Sequence, residues 1–181
     1  MTRFGYVLVT HFSVATISIL NWVPVTPKLI WNASASVPIG LYAVQSADKL
    51  VVADLVAVTA PETLAGYLAE RSYLPRRVPL MKRVAAIAGQ TVCRSGATIT
   101  VDGIALAQAL DRDHLGRDLP VWKGCQTIAD GEVFLMNWQS ADSLDSRYFG
   151  PLPTNSIIGR AVPVWTDNDG TGEFSWWTPT H

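Results

Sequence analysis

Apolar positions fall into blocks along the chain, and the first block differs from the rest. From Phe4 to Pro27, 24 residues pass without Lys, Arg, Asp or Glu. A helix rises about 1.5 Å per residue, so this run is long enough to cross a hydrocarbon layer of about 30 Å. Tyr6, Thr10, His11, Ser13, Thr16, Ser18 and Asn21 interrupt it. Such interruptions suit one weak anchor or an export signal better than a helix of a multi-span bundle. Arg3 precedes the run and the first acidic residue is Asp48. That bias favours an N-terminus left inside and a following domain pushed across the membrane. The chain divides accordingly into a signal or anchor segment, residues 1–31, and an exported domain, residues 32–181.

The later blocks read mostly as strands. Leu50 to Ala60 and Pro79 to Ile87 are rich in Val, Leu and Ala, as buried strands are. Between them Pro61-Glu62 opens a helix, Leu64, Tyr67 and Leu68 recur at helical spacing, and Leu74-Pro75 ends it. Ser95-Gly96 and Asp102-Gly103 are turn signals that divide Thr91 to Leu106 into short strands. Leu106 to Pro120 is polar and irregular. Glu132 to Trp138 and Ile157 to Trp165 are further strands, and the tail from Asp167 is loop, with Trp176-Trp177 expected to pack on the core. The expected fold is therefore mostly β, with one short helix, behind an N-terminal hydrophobic helix.

Composition narrows the function. Without Arg3 and Lys28, the 150 residues from Asn32 hold 12 basic and 15 acidic residues, a net charge of −3. A nucleic-acid binder that works by neutralising phosphates is excluded, and no nucleic-acid partner is expected. Arg71, Arg76, Arg77, Lys82 and Arg83 form a local basic cluster, read as a solvated face or as one turned toward lipid headgroups or an acidic partner. Cys93 and Cys125 match no metal or redox spacing. In an oxidising compartment a disulfide between them and two free buried thiols both remain open. The three histidines are scattered, and neither a metal nor a cofactor is expected.

Three segments carry chemistry. Asn32 to Tyr42 (N-A-S-A-S-V-P-I-G-L-Y) places small residues and a Pro-x-Gly turn directly after the hydrophobic run. Such a turn can present a serine hydroxyl. Pro79 to Val92 (P-L-M-K-R-V-A-A-I-A-G-Q-T-V) sets Lys82 inside an apolar stretch. On a strand, Leu80, Lys82 and Val84 share one face and Met81 and Arg83 the other, so one basic residue points inward and its neighbour to solvent. A buried lysine has its pKa lowered by desolvation, and the neutral amine can act as general base toward a serine. Ser143 to Pro151 (S-L-D-S-R-Y-F-G-P) reads as a polar loop between two strands.

Together these segments resemble the type I signal peptidase superfamily (peptidase family S26), and within it the conjugal-transfer branch of TraF-type proteases. The resemblance rests on S-x-P-x-G-x-Y at Ser36, Pro38, Gly40 and Tyr42, and on K-R-V-A-x-x-x-G at Lys82 to Gly89. It also rests on D-S-R-Y-F-G-P at Asp145 to Pro151 and on I-G-R-A at Ile158 to Ala161. It implies coiled antiparallel sheets and a periplasmic Ser-Lys endopeptidase with Ser36 as nucleophile and Lys82 as general base. Ser34 and the Ser36 N–H would be the oxyanion donors. Ser143 and Asp145 would support the site, Ser143 through the lysine amine and Asp145 through Arg147, or Asp145 would be catalytic in its own right. A cut at Ala33-Ser34-Ala35, which resembles an export cleavage site, would make Ser36 the N-terminus, so retention or a cut elsewhere is favoured.

The implied substrate is a propilin, with small residues on the acyl side of the bond. It would be processed at the inner membrane beside other conjugal-transfer (type IV secretion) proteins. Water as acceptor gives a shortened pilin and an amine gives a ring; the sequence leaves both open. The alternatives are a general type I signal peptidase, a noncatalytic pilus-assembly subunit on the same fold, and a self-cleaving repressor. The last would need a DNA-binding domain where this chain has an apolar segment.

Overall fold

The computed structural model describes residues 3–20 and 28–178. Helix α1 spans Arg3–Leu20. Its hydroxyls turn back on their own helix, Thr10 to the Tyr6 carbonyl at 2.9 Å, Thr16 to Phe12 and Ser18 to Val14 at 2.8 Å. Phe4, Val7, Phe12 and Ile17 are exposed. Among the described residues no helix is long and apolar enough to cross a membrane. The remainder of the expected span, residues 21–27, lies outside the described residues.

The domain is mostly β, and every strand pairing is antiparallel. The main sheet contains β1 (Leu29–Asn32), β2 (Ile39–Gln45), β3 (Leu55–Val58) and β4 (Leu80–Ala86), then β9 (Glu132–Leu135), β10 (Leu152–Pro153), β11 (Ile157–Asp167) and β12 (Ser175–Trp176). Its order is β1-β2-β11-β3-β4-β9-β10, with β12 also on β11. The second sheet contains β5 (Thr91–Ser95), β6 (Thr98–Val101), β7 (Ile104–Gln108) and β8 (Gly124–Thr127), in the order β7-β6-β5-β8. The turn residues Asp102 and Gly103, both at positive φ, link β6 to β7 as the Asp-Gly signal requires. Cys93 and Cys125 face each other across β5 and β8 and are joined by a disulfide.

Helix α2 (Glu62–Glu70) lies on one face of the main sheet. Leu64 and Leu68 pack there against Val56, Val58, Val84 and Leu135. Burying each leucine contributes roughly 1.5–3 kcal/mol. Between the two sheets Val92 and Ile99 meet Phe134 and Met136. A third cluster, with Val37, Tyr42, Leu55 and Met81, lies under the 32–38 turn.

Four expectations need correction. Both faces of β4 are covered, so Arg83 is buried as well as Lys82, and the guanidinium donates to the Ala53 carbonyl at 3.2 Å. The supposed basic surface cluster therefore loses two members. The stretch 50–60 is strand only from Leu55 to Val58, because Val51 to Asp54 form a turn. The 143–151 stretch is not plain loop: it contains α3 (Ser146–Phe149), capped by the Asp145 carboxylate on the Arg147 N–H. Trp176 and Trp177 remain 64% and 65% exposed, although Trp176 stacks on Trp165.

Candidate active site

Ser36 sits in a turn between β1 and β2, which pair with each other from Leu29–Ala43 to Asn32–Gly40. Asn32 holds that turn from inside. Its Oδ1 accepts from the Ser34 N–H at 3.2 Å and the Ser34 hydroxyl at 3.0 Å. Its Nδ2 donates to the carbonyls of Ser34, Val37 and Pro38 at 2.8–3.1 Å. Val37 anchors the turn in the core, and Tyr42, fully buried, donates its hydroxyl to the Pro38 carbonyl at 2.7 Å. Gly40 is required by close approach: a Cβ there would collide with the Trp165 carbonyl oxygen. The S-x-P-x-G-x-Y spacing thus describes one rigid device that holds Ser36 up.

The Ser36 hydroxyl lies 3.2 Å from the Ser34 hydroxyl. Among the described residues the Ser36 N–H has no hydrogen-bond acceptor. Both serines line an open cleft of about 340 Å³, with Lys82 and Ser143 on the same lining and Leu68, Leu74, Leu80 and Leu144 supplying apolar walls.

Lys82 comes up from the middle of β4 and is 5% exposed. Its Nζ donates to the Ser143 hydroxyl at 2.7 Å. Burial lowers its pKa from 10.5 to about 8, with the Asp145 carboxylate opposing the shift and the Arg147 guanidinium adding to it. A substantial neutral fraction therefore exists at mildly alkaline pH. No direct hydrogen bond joins Lys82 to Ser36. The two share the cleft, and such bonds often close only when substrate is bound.

Asp145 and Arg147 form a buried pair beneath this arrangement. Asp145 Oδ1 accepts from Arg147 Nε at 2.8 Å, and Oδ2 accepts from a terminal nitrogen of Arg147 at 3.0 Å. The remaining guanidinium donors reach the carbonyls of Gln108, Asn137 and Ser140. This pair fixes the 137–144 loop, and with it Ser143. No hydrogen bond joins Asp145 to Ser36 or Lys82, so the geometry suits a positioning role.

Sequence reasoning missed Asn32 and Asn137. Asn137 stands where β9 would have continued alongside β4. Its side chain replaces the missing backbone partner, donating to the Met81 carbonyl and accepting from the Arg83 N–H, both at 3.0 Å. Its own N–H donates to Asp145 Oδ2 at 3.1 Å. An asparagine inside an apolar strand pattern was the available signal, since strands avoid it. His114 also lines the cleft, although it makes no hydrogen bond to Ser36 or Lys82. Among the described residues no three His, Cys, Asp or Glu side chains gather in a way that could hold a metal ion.

A family model described as "Signal peptidase, peptidase S26" matches residues 1–166. A probable conjugal transfer protein TraF of Sinorhizobium fredii is 36% identical over 146 residues, covering 75% of this chain and 76% of that one. A conjugal transfer protein TraF of Agrobacterium tumefaciens is 30% identical over 172 residues, covering 83% and 89%. A solved signal peptidase I from Enterococcus faecalis aligns at 20% identity with a TM-score of 0.40, over 62% of this chain and 97% of that one, a likeness too loose to argue from. On the extent of the family match and the identity to these relatives, the chain belongs to the signal peptidase family, peptidase S26.

Proposed function

We propose that this chain is a conjugal-transfer serine endopeptidase that processes a propilin at the periplasmic face of the inner membrane, beside other conjugal-transfer proteins. The observation that carries the reading is the buried Lys82 amine, held by Ser143 in the cleft that Ser36 also lines. The TraF names of its relatives supply the conjugal context.

In this mechanism the neutral Lys82 amine takes the Ser36 proton as Oγ attacks the scissile carbonyl. The oxyanion is held by the unpaired Ser36 N–H and by the Ser34 hydroxyl, which turns from Asn32 toward it. The protonated amine then delivers its proton to the leaving nitrogen, the peptide C–N bond breaks, and the acyl group stays on Ser36. Water or an amine completes the cycle: Lys82 removes the acceptor's proton, and Ser36 Oγ leaves and is reprotonated. Ser143 keeps the amine in place through both steps. Asp145 and Arg147 keep Ser143 in place.

The test is the intact mass of the pilin of the same transfer system, coexpressed with this protein or with Ser36→Ala. Shortening with the wild type alone supports the peptidase. A product about 18 Da below the linear fragment marks capture by an amine in place of water. Unprocessed pilin in both samples leaves a noncatalytic assembly role.

A further inference from the structure

The three motif segments do not supply the whole cleft. Leu110, Asp113, His114 and Leu119 also line it, and so do Leu68 and Tyr73. The first group belongs to the connection between β7 and β8 of the second sheet. The second belongs to α2 and the turn that follows it. The two meet where the Tyr73 hydroxyl donates to the Asp113 carboxylate.

The 110–119 segment folds back on itself. Arg112 pairs with Asp118 as an isolated antiparallel bridge, and the Asp113 N–H donates to the Arg117 carbonyl at 3.0 Å. Apolar contact anchors its base: Ala109 and Leu119 pack with Tyr148, whose hydroxyl accepts from the Leu110 N–H at 2.9 Å. Its tip is anchored differently. From Leu110 to Asp118 every residue except Asp113 and Arg117 is exposed. The Asp113 side chain is 4% exposed. Its Oδ1 accepts from the N–H groups of Leu115 at 2.9 Å and Arg117 at 2.8 Å, and its Oδ2 accepts from Arg117 Nε at 2.7 Å and from Tyr73. The Arg117 guanidinium lies 4.7 Å from the centre of the Tyr73 ring and donates to the Arg71 carbonyl at 3.1 Å. Arg71 in turn donates to the Asp118 carbonyl at 2.9 Å. The tip is thus held beside the end of α2 by polar contacts centred on Asp113.

A pocket rejects a side chain by size only as firmly as its walls hold. A wall with no apolar anchor at its tip yields unless its polar contacts resist. We propose that Asp113, with Tyr73 as its partner, is a positioning residue that sets the width of the cleft, and that this width decides which substrate side chains are admitted near the scissile bond. The inference rests on the peptidase reading. The Asp113 carboxylate spends its hydrogen bonds on the wall itself, so it acts through that wall and not on the reacting atoms.

The test uses full-length protein in detergent and peptides that span the processing junction. Ala, Leu or Trp is placed in turn at each of the three positions on either side of the bond. Selectivity is read as a ratio of kcat/KM values on one preparation, which a loss of folded enzyme does not move. The wild type should favour Ala over Trp by about tenfold or more at one or more positions. Tyr73→Phe keeps the ring beside Arg117 and removes the hydroxyl; at one of those positions it should lower the ratio at least about threefold. Asp113→Ala should lower it further, because Arg117 loses its partner as well. A ratio unchanged at every position in Tyr73→Phe overturns the proposal, whether or not Asp113→Ala folds. A wild type that takes Ala and Trp equally at every position overturns it too. Cleavage of none of the peptides by the wild type overturns the peptidase reading itself.

Discussion

Lys82 concentrates the chemistry in one side chain. Its folded pKa of about 8 lies below the unfolded 10.5, so the unfolded chain binds more protons between these values. Stability therefore rises with pH across this window, and the full penalty, roughly 3 kcal/mol, is present below about pH 8. Processing should rise with pH and level off above about 8, as the neutral base accumulates. Lys82→Met should abolish processing yet melt above the wild type at pH 6, with the gap closing between pH 8 and 10.5. A Met variant that is less stable at pH 6 would contradict the buried-charge account. Asn137→Ala removes the side-chain hydrogen bonds to the buried Met81 carbonyl and Arg83 N–H, so denaturant titration should show a loss of roughly 3 kcal/mol. At this scale the sequence showed which residue types could do chemistry, Ser36 and Lys82 among them. It did not show that both faces of β4 are covered, and so it sent Arg83 to solvent. Beyond the oddity of Asn137 in a strand pattern, the roles of the two asparagines were not legible, because most of their side-chain partners are backbone atoms, which no motif records.

Among the elements, strands were easiest to foresee where turns bounded them. Ser95-Gly96 and Asp102-Gly103 delimit β5, β6 and β7 as expected. Helix α2 follows its Pro-Glu start. The β1–β2 pair was harder, because the striking small residues and prolines hide the strands on either side of the turn. The cost of disturbing that pair should be concentrated at Gly40. Gly40→Ala forces a Cβ into the β11 backbone, and thermal melting should report a loss of at least about 1–3 kcal/mol together with reduced processing. The same substitution at Gly170, where a Cβ meets nothing within 4 Å, lacks that collision and should cost less.

For the molecule as a whole, the strand-rich reading of residues 32–181 anticipated the mostly β, antiparallel architecture. The pairing of distant strands could not be read from local pattern, because register depends on partners more than a hundred residues away. The Cys93–Cys125 link belongs to this scale. It closes a loop across the second sheet, and reduction should lower stability by about 3–4 kcal/mol in the chain-entropy account. Thiol labelling of denatured protein should find no free cysteine before reduction and two afterwards.

Strand β11 has a consequence for biogenesis. Among the described residues it is the only strand that pairs with both β2, which follows the serine turn, and β3, which leads on to the lysine strand. Ser36, Lys82, Ser143 and Asp145 all precede it in the chain. A nascent polypeptide that has emerged as far as Gly150 therefore contains every proposed reactive group and still lacks the element that joins their supports. Proteolytic competence should be withheld until β11 has been made, which protects the growing chain and its neighbours from premature cutting. A chain ended at Ser156 should be inert, and a separately supplied peptide of residues 157–178 is the natural candidate to restore it.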